Sequence, residues 1–328
     1  MPFLRSPACI LIFRGIALVL LFFAGNISYA QNLETVGKKD PLKVTGGVSL
    51  SQIFYTSKGI ESRRNPYSYF ASGNINFSLY GWNVPLSFSV SNNNVSYQQP
   101  FNQYSLHPTY KWITAHVGYT SMSFSPYTVS GHMFKGVGLD LTPTAKFKFS
   151  ALYGRFLKAV EPDSLNTAIM PAFKRMGYGF KTSYGDGKDF VEAILFHALD
   201  QTNSISYVPE NQSILPQENM VMSIAGGKSL FTRILLRAEY ATTAITGDIR
   251  SETAPSASLI GKVPLFTSRT SSAYYHAIKS SLMYQGDSYT VGFGYERIDP
   301  RYRTLGAYFF NNDLENITVN GATSFFQG

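Results

Sequence analysis

The residues able to do chemistry are few and scattered. The five histidines, His107, His116, His132, His197 and His276, are far apart in sequence. No pair has the short spacing of a zinc site, and there is no HExxH or Cys/His cluster. Serines abound, yet none stands in G-x-S-x-G. Ala225-Gly226-Gly227-Lys228-Ser229 ends like a phosphate loop but lacks the earlier glycine and leads into no helix. Asp-rich calcium loops are absent. The expectation is therefore a chain that is not an enzyme and carries no metal, cofactor or catalytic residue. A Ser-His or Asp-His hydrolase borne on the fold stays as a third reading, because triads need not be contiguous in sequence.

Charge placed on alternating strands is more informative. By pleat parity one polar face collects Lys43, Lys148, Arg175, Lys181, Arg233, Arg237 and Lys279 against Asp140, Glu239 and Glu296. A wall with such a basic excess raises the local concentration of anions, and rings of Lys or Arg recur in anion pores. The same charges could equally neutralise one another in a packed interior. Both readings stay open here.

The elements that carry these charges are long alternating runs. From Ser272 to Asp299 two such runs flank a tight turn at Gln285-Gly286-Asp287-Ser288. Tyr289, Val291, Phe293 and Tyr295 share one face; Thr290, Gly292, Gly294 and Glu296 share the other. Strand side chains alternate faces, so each run has an apolar side and a polar or tiny one. Runs of roughly 11 to 13 residues exceed the ~5–6 of soluble strands and suffice to cross a bilayer when tilted. Tyrosines at their ends suit a headgroup girdle.

The same pattern repeats along the chain. Strands are expected at 42–55, 70–81, 84–96, 104–111, 113–124, 134–141, 147–156, 175–185, 189–199, 220–228, 233–246, 273–285, 289–299 and 317–326. The lumen side of Asp189 to Leu199 is not assignable, since both its faces are apolar apart from Glu192 and His197. Tight turns near 82, 112, 143, 186, 229 and 286 alternate with long polar connections. This is the bacterial barrel pattern of short periplasmic turns and long extracellular loops. The fold class is all-β, an antiparallel transmembrane β-barrel of about 14 strands. A soluble β-sandwich explains the alternation but not the strand length or the strict turn order.

Composition agrees. Aromatic and charged residues each make up 15%, the latter below the ~25% of soluble domains. Mean hydropathy is −0.06, as expected where half of each strand faces water. Residues 1–30 read as a secretory signal, with Arg5 and Arg14 before the apolar Ile16–Ala24 and a Ser28-Tyr29-Ala30 cleavage site. Residues 31–41 form a short periplasmic leader and 42–328 the barrel. Cys9 leaves with the signal, so the mature chain has no thiol chemistry. Loss of two arginines and no acid takes the formal charge from +8 to +6. No basic stripe forms, which argues against nucleic acid.

Several segments carry a resemblance. Tyr104–Trp112 followed by His116–Tyr119, Phe124–Tyr127 with Gly131-His132, and Leu305–Asn316 look like recurring segments of porin-like outer-membrane β-barrel proteins of the Bacteroidota. The resemblance implies the cell outer membrane of a Gram-negative bacterium, with outer-membrane lipid, lipopolysaccharide and the barrel assembly machinery as partners. It implies no activity. One departure is the end, Phe325-Phe326-Gln327-Gly328, which lacks the terminal aromatic of such barrels and suggests a longer, wider parent. The leading function is passive or selective passage of small solutes, with anions favoured by the basic face; the alternative is a non-conducting structural or binding barrel that works through its loops.

Mass spectrometry of the protein purified from membranes is expected to find Gln31 as the first residue; an intact Met1 would refute the signal assignment.

Overall fold

The computed structural model describes residues 42–92, 102–163, 170–208, 214–256 and 258–324. The expected signal and leader, residues 93–96 of the third predicted strand, and Phe325-Phe326 of the last lie outside them.

The described chain is all-β. β1 (Leu42–Phe54), β2 (Tyr67–Leu79), β3 (Trp82–Ser91), β4 (Gln103–Leu106), β5 (Thr109–Tyr110), β6 (Ile113–Ser123), β7 (Val129–Leu141) and β8 (Phe147–Leu157) come first. β9 (Lys174–Gly185), β10 (Phe190–Gln201), β11 (Glu218–Leu230), β12 (Ile234–Thr246), β13 (Ser272–Gln285), β14 (Tyr289–Ile298), β15 (Gly306–Ala307) and β16 (Leu314–Thr323) follow. They form one sheet in which sequence neighbours pair antiparallel; only β15 pairs parallel, onto β7. Among the described residues the hydrogen-bonded order runs from β1 at one edge to β16 at the other.

β4 and β5 are the two halves of the strand expected at 104–111. Pro108 has no N–H to give the ladder and sits in the break. The carbonyl of Pro108 still accepts from Ala115 N (2.9 Å), and His107 N donates to Pro85 O (3.0 Å), so the break costs little pairing. β7 begins five residues earlier than its alternation suggests, at Val129, which shrinks the expected loop at 124–132 to 124–128. Connections at 80–81, 111–112, 142–146, 186–189, 231–233 and 286–288 alternate with longer ones, apart from 124–128, which is no longer than 142–146. The two-residue turn Tyr80-Gly81 has both residues at positive φ (46° and 89°), the hairpin geometry that matches strand twist. At 186–189 the Asp186 carboxylate accepts from the N–H of Lys188 (3.1 Å) and Asp189 (3.0 Å) and holds the turn.

The register separates two faces. One carries Val117, Val137, Tyr153, Tyr178, Tyr184, Val191, Ile224, Phe293 and Val319. It is apolar and open: Tyr184 and Ile224 are both 65% exposed. An open apolar face of this extent is the lipid-facing band of a membrane barrel. The other, inner face carries the glycines, serines and most charges. Near the long connections it is covered. Phe134, Phe156, Phe196 and Val221 are wholly buried and pack with Met122, Phe124, Ile245 and Leu305. The covering rings lie over glycines. A Cβ on Gly154 would meet the Phe134 ring at 2.7 Å, one on Gly177 the Phe156 ring at 2.8 Å, and one on Gly179 the Phe124 ring at 3.0 Å.

The cover is made by two connections that fold inward. Thr304 Oγ1 donates to Thr128 O (2.7 Å), Tyr302 Oη to Tyr127 O (2.9 Å), Leu305 N to Asn219 Oδ1 (2.9 Å) and Thr243 Oγ1 to Arg303 O (3.0 Å). Tyr127, two residues before β7, donates directly to the Glu296 carboxylate on β14. Seven strand spacings of ~4.8 Å would put β7 and β14 roughly 34 Å apart in a flat sheet. Side-chain contact between them therefore requires that β7 to β14 curl around the in-folded segments.

A third connection goes the other way. The described residues of this connection, 247–256 and 258–271, include a 3-10 turn at Ile260–Lys262 that lies against the outer face. Ile260 and Phe266 bury Met220 and Ala244, with Leu195 and Tyr274 at the margin. The sequence pattern presents this stretch as a long polar or proline-containing connection; its apolar residues Ile260 and Phe266 have a seat on the wall.

Placing a guanidinium on the exposed apolar face should cost about 2–4 kcal/mol near the membrane midplane. Phe180→Arg and Ile224→Arg are each expected to lower folding yield into lipid vesicles, while Lys148→Gln on the inner face should not. Equal yields, read from heat-modifiable gel mobility, would contradict the face assignment.

Candidate functional site

The inner face between the turns and the in-folded cover is the candidate functional surface. Lys181 reaches Glu192 (3.0 Å) and donates to Phe124 O (3.0 Å), tying the wall to the cover. Lys279 stands 3.6 Å from Glu296. Glu239 accepts from Ser223 Oγ (2.7 Å) and lies opposite Lys279 in the ladder. Arg237 donates to Gly187 O (3.2 Å) across from the neighbouring turn. Lys43 on β1 and Lys148 on β8 are exposed on the same face.

Asp140 is the centre of a hydrogen-bonded chain. It takes Ser150 Oγ on one oxygen and His116 Nε2 (2.8 Å) on the other. His116 Nδ1 then meets His107 Nδ1 at 2.8 Å. If His116 gives its Nε2 proton to Asp140, its Nδ1 must accept, and His107 Nδ1 is the donor. The serine contacts the carboxylate and not an imidazole nitrogen, so the order is not that of a nucleophilic triad. Two histidines nine residues apart thus meet in the fold. Among the described residues no group of three His, Cys, Asp or Glu is arranged to hold a metal ion.

Nearer the loops, Arg175 and Asp200 form a two-toothed pair (2.7 and 2.9 Å) whose side chains are 12% and 4% exposed. Gln217 N also donates to Asp200 (3.0 Å). Within the cover, burial raises the pKa of Tyr302, with Glu239 adding to it. Tyr127 is raised by burial and by its hydrogen bond to Glu296. Both phenols stay protonated donors. Arg303 is lowered by burial and by the nearby Arg175 guanidinium.

One of the sequence-derived assignments changes, and one left open is filled. Arg233 is not on the wall: it stands in the turn before β12, paired with Asp287 (2.9 Å), with both side chains at least half exposed. The wall also gains two acids that alternation could not place, Glu192 and Asp200, once the ladder fixes the inner side of β10. The strand-borne inner charges are then Lys43, Lys148, Arg175, Lys181, Arg237 and Lys279 against Asp140, Glu192, Asp200, Glu239 and Glu296. The expected basic excess of four falls to one.

No protein-family model and no curated protein matches the sequence. Solved structures similar to the chain include Pseudomonas aeruginosa OccK3 (OpdO), at 12% identity and a TM-score of 0.37, covering 83% of this chain and 68% of that one. Pseudomonas aeruginosa OccK11 (OpdR) has 12% identity, a TM-score of 0.34, and 80% and 63% coverage. A loop L8 deletion mutant of OmpT, an outer membrane protein of Vibrio cholerae, has 10% identity, a TM-score of 0.36, and 86% and 98% coverage. The chain thus spans less than two thirds of OccK11.

Removing one partner of a buried pair leaves an uncompensated charge, which costs about 3–5 kcal/mol; an exposed pair contributes only about 0–1 kcal/mol. Asp200→Asn is therefore expected to destabilise the protein strongly and Lys228→Gln, which breaks the exposed pair with Asp189, hardly at all. Urea unfolding from vesicles measures both; similar midpoints would show that Arg175 is not buried against Asp200.

Proposed function

We propose that this protein is an outer-membrane β-barrel that passes small polar solutes through a restricted route. One observation carries the reading: a polar, charge-paired inner wall on the turn side ends at a cover of two in-folded connections on the loop side. The wall gives solutes a wet surface lined with donors and acceptors. The cover, 124–128 with 299–307, narrows the way past it. Rings of fixed charge set ion preference in such routes. With Arg175, Lys181 and Lys279 each paired with an acid and a net basic excess of only one on the wall, the expected preference for anions is slight, and passage is chosen by size and hydrogen bonding instead.

Residence in the outer membrane, removal of the segment before Gln31 and contact with the assembly machinery belong to the same proposal. The first is supported by the open apolar band, and the second by the apolar run Ile16–Ala24 before Ser28-Tyr29-Ala30.

The buried apolar core on the inner face favours a second reading, a barrel closed at its loop end that works by binding there. Conductance in planar bilayers separates the two. The wild-type protein is expected to give small channels with weak ion selectivity. Tyr127→Ala combined with Tyr302→Ala, which removes the fixings of the cover, should enlarge them several-fold. Arg237→Glu should move the reversal potential toward cations. Folded protein that conducts in neither form would end the passage reading and leave the binding barrel.

A further inference from the structure

The lipid-facing side of β7 and β8 holds a pair of cations with no acid beside them. On β7 the outward residues climb from the turn as Leu141, Leu139, Val137 and then Lys135; on β8 as Phe147, Phe149, Ala151, Tyr153 and then Arg155. Both series change from apolar to basic at the same level, because Lys135 and Arg155 are direct partners in the ladder. Opposed side chains start only ~5 Å apart, and like charges there destabilise a sheet. Elsewhere on this face His197 meets Glu218 (2.9 Å) and Lys228 meets Asp189 (2.8 Å); Arg297 lies opposite Glu315, and Lys174, at the end of β9, opposite Gln201, so no other two cations of the described residues face each other there. Among the described residues Lys135 and Arg155 have no carboxylate within ion-pair distance.

What surrounds them is aromatic and hydroxylic. Arg155 donates to Tyr119 Oη (3.1 Å), and Lys135 Nζ lies 5.4 Å from the centres of both the Tyr104 and Tyr119 rings. The two rings meet edge to face at 6.2 Å. Both cations are half-buried. The ring faces hold the ammonium in place, and Tyr119, having accepted from Arg155, keeps its own O–H to give away.

We propose that Lys135, Arg155 and Tyr119 form a site for the phosphate of a lipid headgroup in the leaflet on the loop side of the membrane. A phosphate monoester seated between the two strands would take hydrogen bonds from the ammonium, the guanidinium and the phenol. It would also cancel the repulsion of the opposed cations. The acyl chains would then descend along Val137, Tyr153 and the apolar residues below. The site lies where the apolar band ends, which suits an amphiphile anchored at its head. This inference rests on the membrane reading given above.

The test uses the full chain folded in uncharged detergent, with native mass spectrometry and thermal unfolding as readouts. Probes are bis-phosphorylated lipid A, the same lipid dephosphorylated, and inorganic phosphate. Wild-type protein is expected to retain phosphorylated lipid A and to melt at a higher temperature with it. The dephosphorylated lipid should bind at least tenfold more weakly, and inorganic phosphate should add nothing. Lys135→Gln with Arg155→Gln should lose the retained lipid. Without lipid it should melt no lower than wild type, because a repulsive pair is gone. Lys135→Arg should keep binding. Equal retention by the double variant, or equal binding of the dephosphorylated lipid, would overturn the site. Stabilisation by inorganic phosphate as large as by lipid A would overturn the lipid assignment in favour of a free-anion site. If the protein fails to enter lipid vesicles at all, it is the membrane reading that falls.

Discussion

The hydrogen bond from Tyr127, in the connection just before β7, to Glu296 on β14 joins parts of the sheet that the ladder places seven strands apart. Everything on the inner face depends on this closure. It holds the stretch from β7 to β14 in a tight arc, and the arc gives the apolar residues of the inner face something to bury against. Tyr302 completes the fixing by donating to the Tyr127 carbonyl from the opposite connection. Both phenols are kept protonated by their surroundings, so they serve as donors across the ordinary pH range. An antiparallel sheet alone would leave Phe196 and Val221 facing water. The strap turns that face into a core over its loop-side half and leaves a wet wall over the rest.

The electrostatics follow the same division. Beneath the cover the most deeply buried inner pair is the two-toothed Arg175–Asp200, further bonded by Gln217 N. Where water enters, charges are looser: Lys279 and Glu296 stand 3.6 Å apart, and Lys148 is exposed. Burial makes the first pair costly to break, while solvent makes the second adjustable. The outer face obeys a third rule. There a cation without a carboxylate has to meet an aromatic face or something from outside the chain.

Much of the architecture is legible in the residues. Period-two alternation over a dozen positions identifies the strands, and it gives correct faces for β9, where Tyr178, Phe180 and Tyr184 oppose Gly177, Gly179 and Lys181. Turn lengths give the order of pairing. Alternation fails on β10, and for a physical reason. Ile194, Phe196 and Ala198 are apolar because the cover buries them; Val191, Ala193 and Leu195 are apolar because they point outward. A strand covered on both sides has no polar face to read, so Glu192 and Asp200 could not be placed. The meeting of His107 with His116 was equally hidden, since it needs the ladder across β4 and β6. The inward fold of 299–307 leaves little trace either, because its buried threonine and tyrosine make polar contacts that a solvated loop would also favour.

The rings over Gly154, Gly177 and Gly179 carry a consequence for assembly. Each ring fits only where the strand beneath presents a bare backbone, and in β8 and β9 those positions alternate with Tyr153, Arg155, Tyr178 and Phe180. A slip of one residue between these strands would put a full side chain under a ring and turn a charged or phenolic group inward. The cover could not then close. Seating of the aromatic residues therefore acts as proofreading: misregistered sheets stay open at the loop end, while a correctly threaded one locks as its last connection folds in.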